Sequence, residues 1–141
     1  MESISVFDII KIGIGPSSSH TMGPWNAAKM FLDLVRRNHS LQDVKEVFVE
    51  FFGSLAKTGV GHGTDIAGML GLSGENFRTI DTNKIDEKIE KIKSEQKINL
   101  GGEAWLPFIY GYHLILNKER SLDFHPNGMI FKVIFHFVHF V

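Results

Sequence analysis

From Trp25 the apolar positions fall at helical intervals. Trp25, Ala28, Leu32 and Val35 make one stripe, and Ala27, Phe31 and Leu34 widen it, which predicts a largely buried helix to about Arg37. Arg36 and Arg37 suit the negative end of its dipole, and Asn38 reads as its stop. The pattern then changes period. Over Val44–Phe52, Val47, Val49 and Phe51 alternate with Phe48, Glu50 and Phe52, so a strand with apolar groups on both faces is expected inside a sheet. A short helix follows over about Thr64–Leu72. Ile85, Ile89 and Ile92 draw one narrow stripe over Thr82–Lys97, the mark of a surface helix, which Asn99-Leu100-Gly101-Gly102 breaks. The opening positions Ile4, Phe7, Ile10 and Ile12 are spaced loosely like a helical turn with an extension. Tyr112–Leu116 and Gly128–Val141 read as strands joined by a long turn into an antiparallel hairpin. Together these elements predict an α+β fold, with helices packed on a mixed or antiparallel sheet.

The end of the chain alters this picture. From Ile130 to Val141 only Lys132, His136 and His139 are not apolar. As an edge strand this stretch would be adhesive, so it is expected to be buried, either in its own sheet or against another copy, or to mark a truncated end.

Composition narrows the class. The 141 residues suit a single domain, 1–141. A net charge of −1 favours neither nucleic acid nor an anionic membrane surface as partner. The chain has no cysteine, which excludes disulfides, thiolate nucleophiles and cysteine-ligated clusters within it. No apolar run reaches the roughly 18 residues a membrane span needs, and Met1–Ser5 has no basic region of a signal peptide. A cytoplasmic protein is expected.

Three polar segments stand out. Ser17, Ser18, Ser19, His20 and Thr21 precede the first helix, where hydroxyls and unpaired backbone N–H groups can hold a carboxylate or phosphate, or where one hydroxyl simply caps the helix. In Gly59-Val60-Gly61-His62-Gly63-Thr64-Asp65 the glycines allow His62 to approach a ligand closely, although neither a P-loop lysine nor dinucleotide spacing is present. In Asp123-Phe124-His125-Pro126-Asn127-Gly128-Met129, Asn-Gly is a turn signal that carries a histidine along. Three imidazoles, His20, His62 and His125, could hold zinc, but no local spacing supports it. His39 is expected at the surface, and His113 within a strand.

These segments carry a resemblance. Ser5-Val6-Phe7-Asp8-Ile9-Ile10-Lys11-Ile12-Gly13-Ile14-Gly15-Pro16-Ser17-Ser18-Ser19-His20-Thr21-Met22-Gly23-Pro24, then Gly53–Gly59 with Gly61–Asp65, then Phe124–Met129, closely resemble the β domain of the iron–sulfur L-serine dehydratases, or L-serine ammonia-lyases. The resemblance covers about residues 3–131. It implies conversion of L-serine to pyruvate and ammonia with a [4Fe–4S] cluster acting as Lewis acid. The cluster would be ligated by a cysteine-bearing α domain, fused or separate, and none of its ligands would lie in this chain. The resemblance also implies a fold similar to the serine-related regulatory domain of phosphoglycerate dehydrogenases, and a homodimer is expected. His62 would be the base for the Cα proton. Ser17, Ser18, Ser19, His20, Thr21, Thr64, His125, Asn127 and Gly128 would line the substrate site. Past the third motif the family continues through a charged hairpin to Ser-Ile-Gly-Gly-Gly-Phe, whereas this chain runs into Val133–Val141, so residues 130–141 are expected to be atypical. Two other readings remain: a regulatory serine-binding module without chemistry, and an inert truncated product. A base between two glycines favours the half-enzyme over the module.

Overall fold

The computed structural model describes all residues except 1, 5, 6, 14–20, 58–62, 120–126, 137 and 141. In chain order the elements are β1 (Glu2–Ile4), β2 (Phe7–Gly13), α1 (Met22–Arg36), β3 (Val44–Phe52), α2 (Ser54–Lys57), α3 (Thr64–Leu72), α4 (Ile85–Glu95), β4 (Lys97–Leu100), β5 (Ala104–Pro107), β6 (Leu114–Asn117), β7 (Gly128–Phe135) and β8 (Val138–Phe140). Short 3₁₀ turns at Leu41–Asp43 and Thr82–Lys84 lead into β3 and α4. Helices and sheets are mixed along the chain. Among the described residues no helix is long and apolar enough to cross a membrane.

The central sheet has the order β2-β7-β3-β6. β7 runs antiparallel to both neighbours, and β3 and β6 are parallel. So β2, β3 and β6 all point the same way, and β7 alone opposes them. One face of this sheet is the core. Val47, Val49 and Phe51 of β3 and Met129, Phe131 and Val133 of β7 are fully buried there, beneath Phe31 and Leu32 of α1. Phe31 lies flat on Phe131, with ring centroids 4.7 Å apart and planes 10° from parallel. The opposite face keeps Ile9, Lys132 and Ile115 exposed.

Against α1 packs α3, whose residues are almost all buried. Glycine makes that contact possible: a Cβ at Gly71 would lie 2.7 Å from the Ala28 Cβ and 2.9 Å from the Trp25 carbonyl oxygen. α4 buries only Ile89, with Ile85 and Ile92 half-buried, as its single stripe requires. The β4–β5 hairpin alternates strictly, sending Ile98, Leu100, Ala104 and Leu106 into the core and Lys97, Asn99 and Trp105 outward.

Several expectations need correction. The opening is strand, not a helical turn: Ile10 and Ile12 face the core while Ile9 and Lys11 face out, a period of two. The expected hairpin does not exist, because β3 lies between its two supposed members, β6 and β7. The α4 helix stops at Gln96, which has φ +53°, and the following residues form β4 and β5, which no expectation included. His113 precedes β6 and is buried, and His39 is half-buried against Phe135 at 3.9 Å. Of the apolar tail, the first half, β7, is an interior strand of the central sheet, in keeping with the expected burial in its own sheet. The backbone of its second half pairs with β1 in a separate two-stranded sheet.

Gly71→Ala is expected to destabilise the protein by about 1–3 kcal/mol, the usual cost of overpacking a filled contact. Denaturant unfolding would show this as a lower midpoint at unchanged slope; an unchanged midpoint would mean that α1 and α3 can separate freely.

Candidate functional site

Because β2, β3 and β6 point one way, their carboxyl ends share one rim of the central sheet, and β7 starts there. Gly13, the last residue of β2, pairs with Gly128, the first of β7. Phe51 pairs with Met129, and Phe52 with Asn117. Open sheets carry ligand sites at such carboxyl ends, where several connections converge. All three polar segments of the sequence connect at this rim. The first follows Gly13, the second lies in the connection that leaves β3, and the third runs into Gly128.

One described contact joins two of the segments, and another anchors the third. Gly63, with φ +117°, approaches α1 so closely that a Cβ there would lie 3.0 Å from Thr21 Oγ1. Non-glycine residues rarely adopt that φ, so the second segment meets the first through a position only glycine fills well. The Asn127 side-chain oxygen accepts hydrogen bonds from the Ser54 backbone N–H at 3.1 Å and the Ser54 hydroxyl at 2.6 Å. That pair fixes the third segment to the β3–α2 turn.

The start of α3 is polar and dry. Thr64 and Asp65 are fully buried. The Thr64 hydroxyl has no hydrogen-bond partner among the described residues. A buried hydroxyl left in that state costs on the order of 1–3 kcal/mol. Asp65 sits in the first turn of α3, where the helix dipole favours a carboxylate. One of its oxygens accepts from the Ile66 N–H at 2.9 Å, and the other from the Tyr110 hydroxyl at 2.6 Å. Burial first, then the hydrogen bond to Asp65 and its negative charge, push the Tyr110 hydroxyl well above the usual tyrosine range.

Of the anticipated site residues, Thr21 stands at the start of α1, exposed and without a side-chain cap bond. Thr64, Asn127 and Gly128 are placed as just described. Ser17, Ser18, Ser19, His20, His62 and His125 lie outside the described residues. The zinc alternative rested on His20, His62 and His125 and lies outside them too. Sequence reasoning missed Ser54 and Tyr110. Ser54 had a signal, since it lies in the Gly53–Gly59 block that carries part of the resemblance. Tyr110 had none, because 45 residues separate it from Asp65.

A family model described as serine dehydratase beta chain matches residues 5–138. The chain is 47% identical over 127 residues to the L-serine dehydratase of Streptomyces coelicolor, covering 90% of this chain and 28% of that protein. It is 43% identical over 129 residues to the L-serine dehydratase of Mycobacterium tuberculosis, covering 92% and 28%. With L-serine dehydratase 1 of Escherichia coli the identity is 44% over 129 residues, covering 89% and 28%. The chain thus spans little more than a quarter of the length of these relatives.

Tyr110→Phe should lower stability at neutral pH by removing a partner of a buried carboxylate, on the order of 1–3 kcal/mol. The gap to the wild type should narrow above about pH 10, the ordinary tyrosine value. There the unfolded chain loses the Tyr110 proton while the folded chain keeps it, so wild-type stability falls as pH rises. Unfolding midpoints of both proteins between pH 7 and 11 test this; a gap constant across that range would mean that Tyr110 titrates alike folded and unfolded.

Proposed function

The chain belongs to the serine dehydratase beta-chain family, and from that premise we propose that it forms the β part of an L-serine ammonia-lyase, which converts L-serine to pyruvate and ammonia. The observation that carries the reading is the convergence of the three motif segments at one sheet rim, with Gly63 against Thr21 and Asn127 on Ser54.

In this proposal the substrate carboxylate is held by Ser17, Ser18, Ser19, His20 and Thr21 at the amino end of α1, where hydroxyls add to the unpaired N–H groups of the helix. Thr64, with its buried unpartnered hydroxyl, supplies a further polar contact, and His125, Asn127 and Gly128 close the site. His62 removes the Cα proton. That proton is weakly acidic, and a base with an affinity near neutrality is suited to take it. Gly61 and Gly63 let the backbone bring the imidazole close, and the positive φ of Gly63 supports that role. His20 and His125 are the rival bases. They sit in segments that read better as carboxylate loop and turn.

The second half of the reaction, departure of hydroxide, needs an electrophile. The donor set of this chain does not fit a [4Fe–4S] cluster. It has no cysteine, and among the described residues no three metal-ligating side chains cluster. The cluster is therefore assigned to a cysteine-bearing α region outside this chain, which would meet the β part at the rim. The same reading carries a fold similar to the serine-related regulatory domain of phosphoglycerate dehydrogenases.

Two outcomes follow. The purified 141-residue chain should form no pyruvate from L-serine, and turnover by material free of contaminating enzyme would overturn the division of labour. In enzyme completed with its α region, His62→Ala should lower kcat by roughly 10²–10⁴-fold, the scale of a lost general base, with a smaller effect on serine binding. Near-normal kcat in His62→Ala, with activity abolished in His125→Ala or His20→Ala, would reassign the base. Retained kcat in all three would favour a regulatory serine-binding module.

A further inference from the structure

The turn that opens α2 cannot cap itself. Gly53 precedes the helix at φ +66°, a conformation that favours glycine. The position before the helix therefore has no side chain to receive the first N–H groups. The Gly53 carbonyl takes the Ala56 and Lys57 N–H groups at 3.1 and 3.2 Å. The Ser54 N–H is received instead by the side-chain oxygen of Asn127, 73 residues away, at 3.1 Å. The Ser54 hydroxyl donates to the same oxygen at 2.6 Å.

These two donors fix which way the carboxamide faces. A backbone N–H can only donate, so the Asn127 atom in front of it is the oxygen. The NH2 group, in the same plane, is turned away from Ser54. Asn127 directly precedes Gly128, which pairs with Gly13 at the rim of the central sheet, so the carboxamide stands where β2 ends and β7 begins. Its NH2 group offers two donors and no acceptor, which suits a carboxylate and not an ammonium. Capping α2 makes no use of those donors. An aspartate would receive the same two hydrogen bonds and add a favourable charge at the helix start.

We propose that Ser54 is a positioning residue for the substrate: its hydroxyl and N–H hold the Asn127 carboxamide so that the NH2 group donates to the carboxylate of L-serine. This role rests on the ammonia-lyase reading and adds to it the orientation of one side chain and the residue that sets it. Ser54 acts on the substrate only through Asn127.

The test is steady-state kinetics on enzyme completed with its α region, with the unfolding midpoint of each full chain measured beside it. Ser54→Ala should raise KM for L-serine by roughly three- to tenfold, the scale of one neutral hydrogen bond. Its kcat should stay close to the wild type, because binding is loosened while the chemistry is untouched. Ser54→Thr keeps the hydroxyl and should keep the wild-type KM. Asn127→Asp should unfold no earlier than the wild type, since both Ser54 hydrogen bonds survive. It should nevertheless raise KM by roughly tenfold or more, because an acceptor then faces the substrate carboxylate. In the Asn127→Asp background, Ser54→Ala should raise KM no further, since a carboxylate presents an oxygen in either orientation. The proposal is overturned by an unchanged KM in Ser54→Ala or in Asn127→Asp, by equal losses in Ser54→Ala and Ser54→Thr, or by independent KM effects in the double variant. Each of those results leaves wild-type turnover of L-serine, and with it the ammonia-lyase reading, intact. No turnover of L-serine by the completed wild-type enzyme would instead overturn that reading, and the role of Ser54 with it.

Discussion

The whole arrangement depends on β7 lying between β2 and β3. Among the described strands β2 pairs with no other partner, so without β7 the sheet loses its first strand and β3 loses one edge. The insertion is held by side chains as well as by ladder bonds. Met129, Phe131 and Val133 point into the core, and Phe131 meets Phe31 of α1 face to face. A strand this apolar can sit only where both its edges and its buried face are covered. Placing it centrally also sets the direction of its neighbours. Both flanking strands run opposite to it, so their carboxyl ends fall on one rim. The three polar segments connect at one rim because β7 lies between two strands that both run opposite to it.

At that rim the protein keeps polar groups dry. Asp65 is tolerable in the interior because a helix start, a backbone N–H and the Tyr110 hydroxyl all face it. Thr64 beside it has no such company. A domain selected only for stability would have little reason to bury an unpartnered hydroxyl one residue from Gly63, itself held at φ +117° against Thr21. Local rules broken at neighbouring positions single out this rim as the candidate site.

Much of this was legible in the residue pattern. The α1 and β3 segments follow directly from their apolar spacing, and α3, almost wholly buried, reads as a short helix between glycines. The three polar segments announced themselves by composition. What the pattern misread was short or doubly paired. The opening β2 has only seven residues, and its core positions Ile10 and Ile12 also fit a loose helical count. The β4–β5 hairpin leaves no clear period, since four-residue strands offer too few positions to establish one, and in the pattern Asn99–Gly102 reads only as a helix break.

The sequence by itself determined that α1, α3 and α4 are helical and that β3 is interior, and it marked out the polar segments that are candidates for a site, since these are local properties of the chain. Pairing belonged to the tertiary structure. Whether β6 joins β7 or β3 depends on which edge buries more apolar surface once α1 and α3 are in place, a comparison no local window contains. The same holds for Tyr110 on Asp65, Ser54 on Asn127 and Gly63 on Thr21, contacts between residues 42 or more positions apart. Such contacts form only after the sheet has brought its rim together, so the chain names the candidate segments, and the fold decides which of their described residues meet.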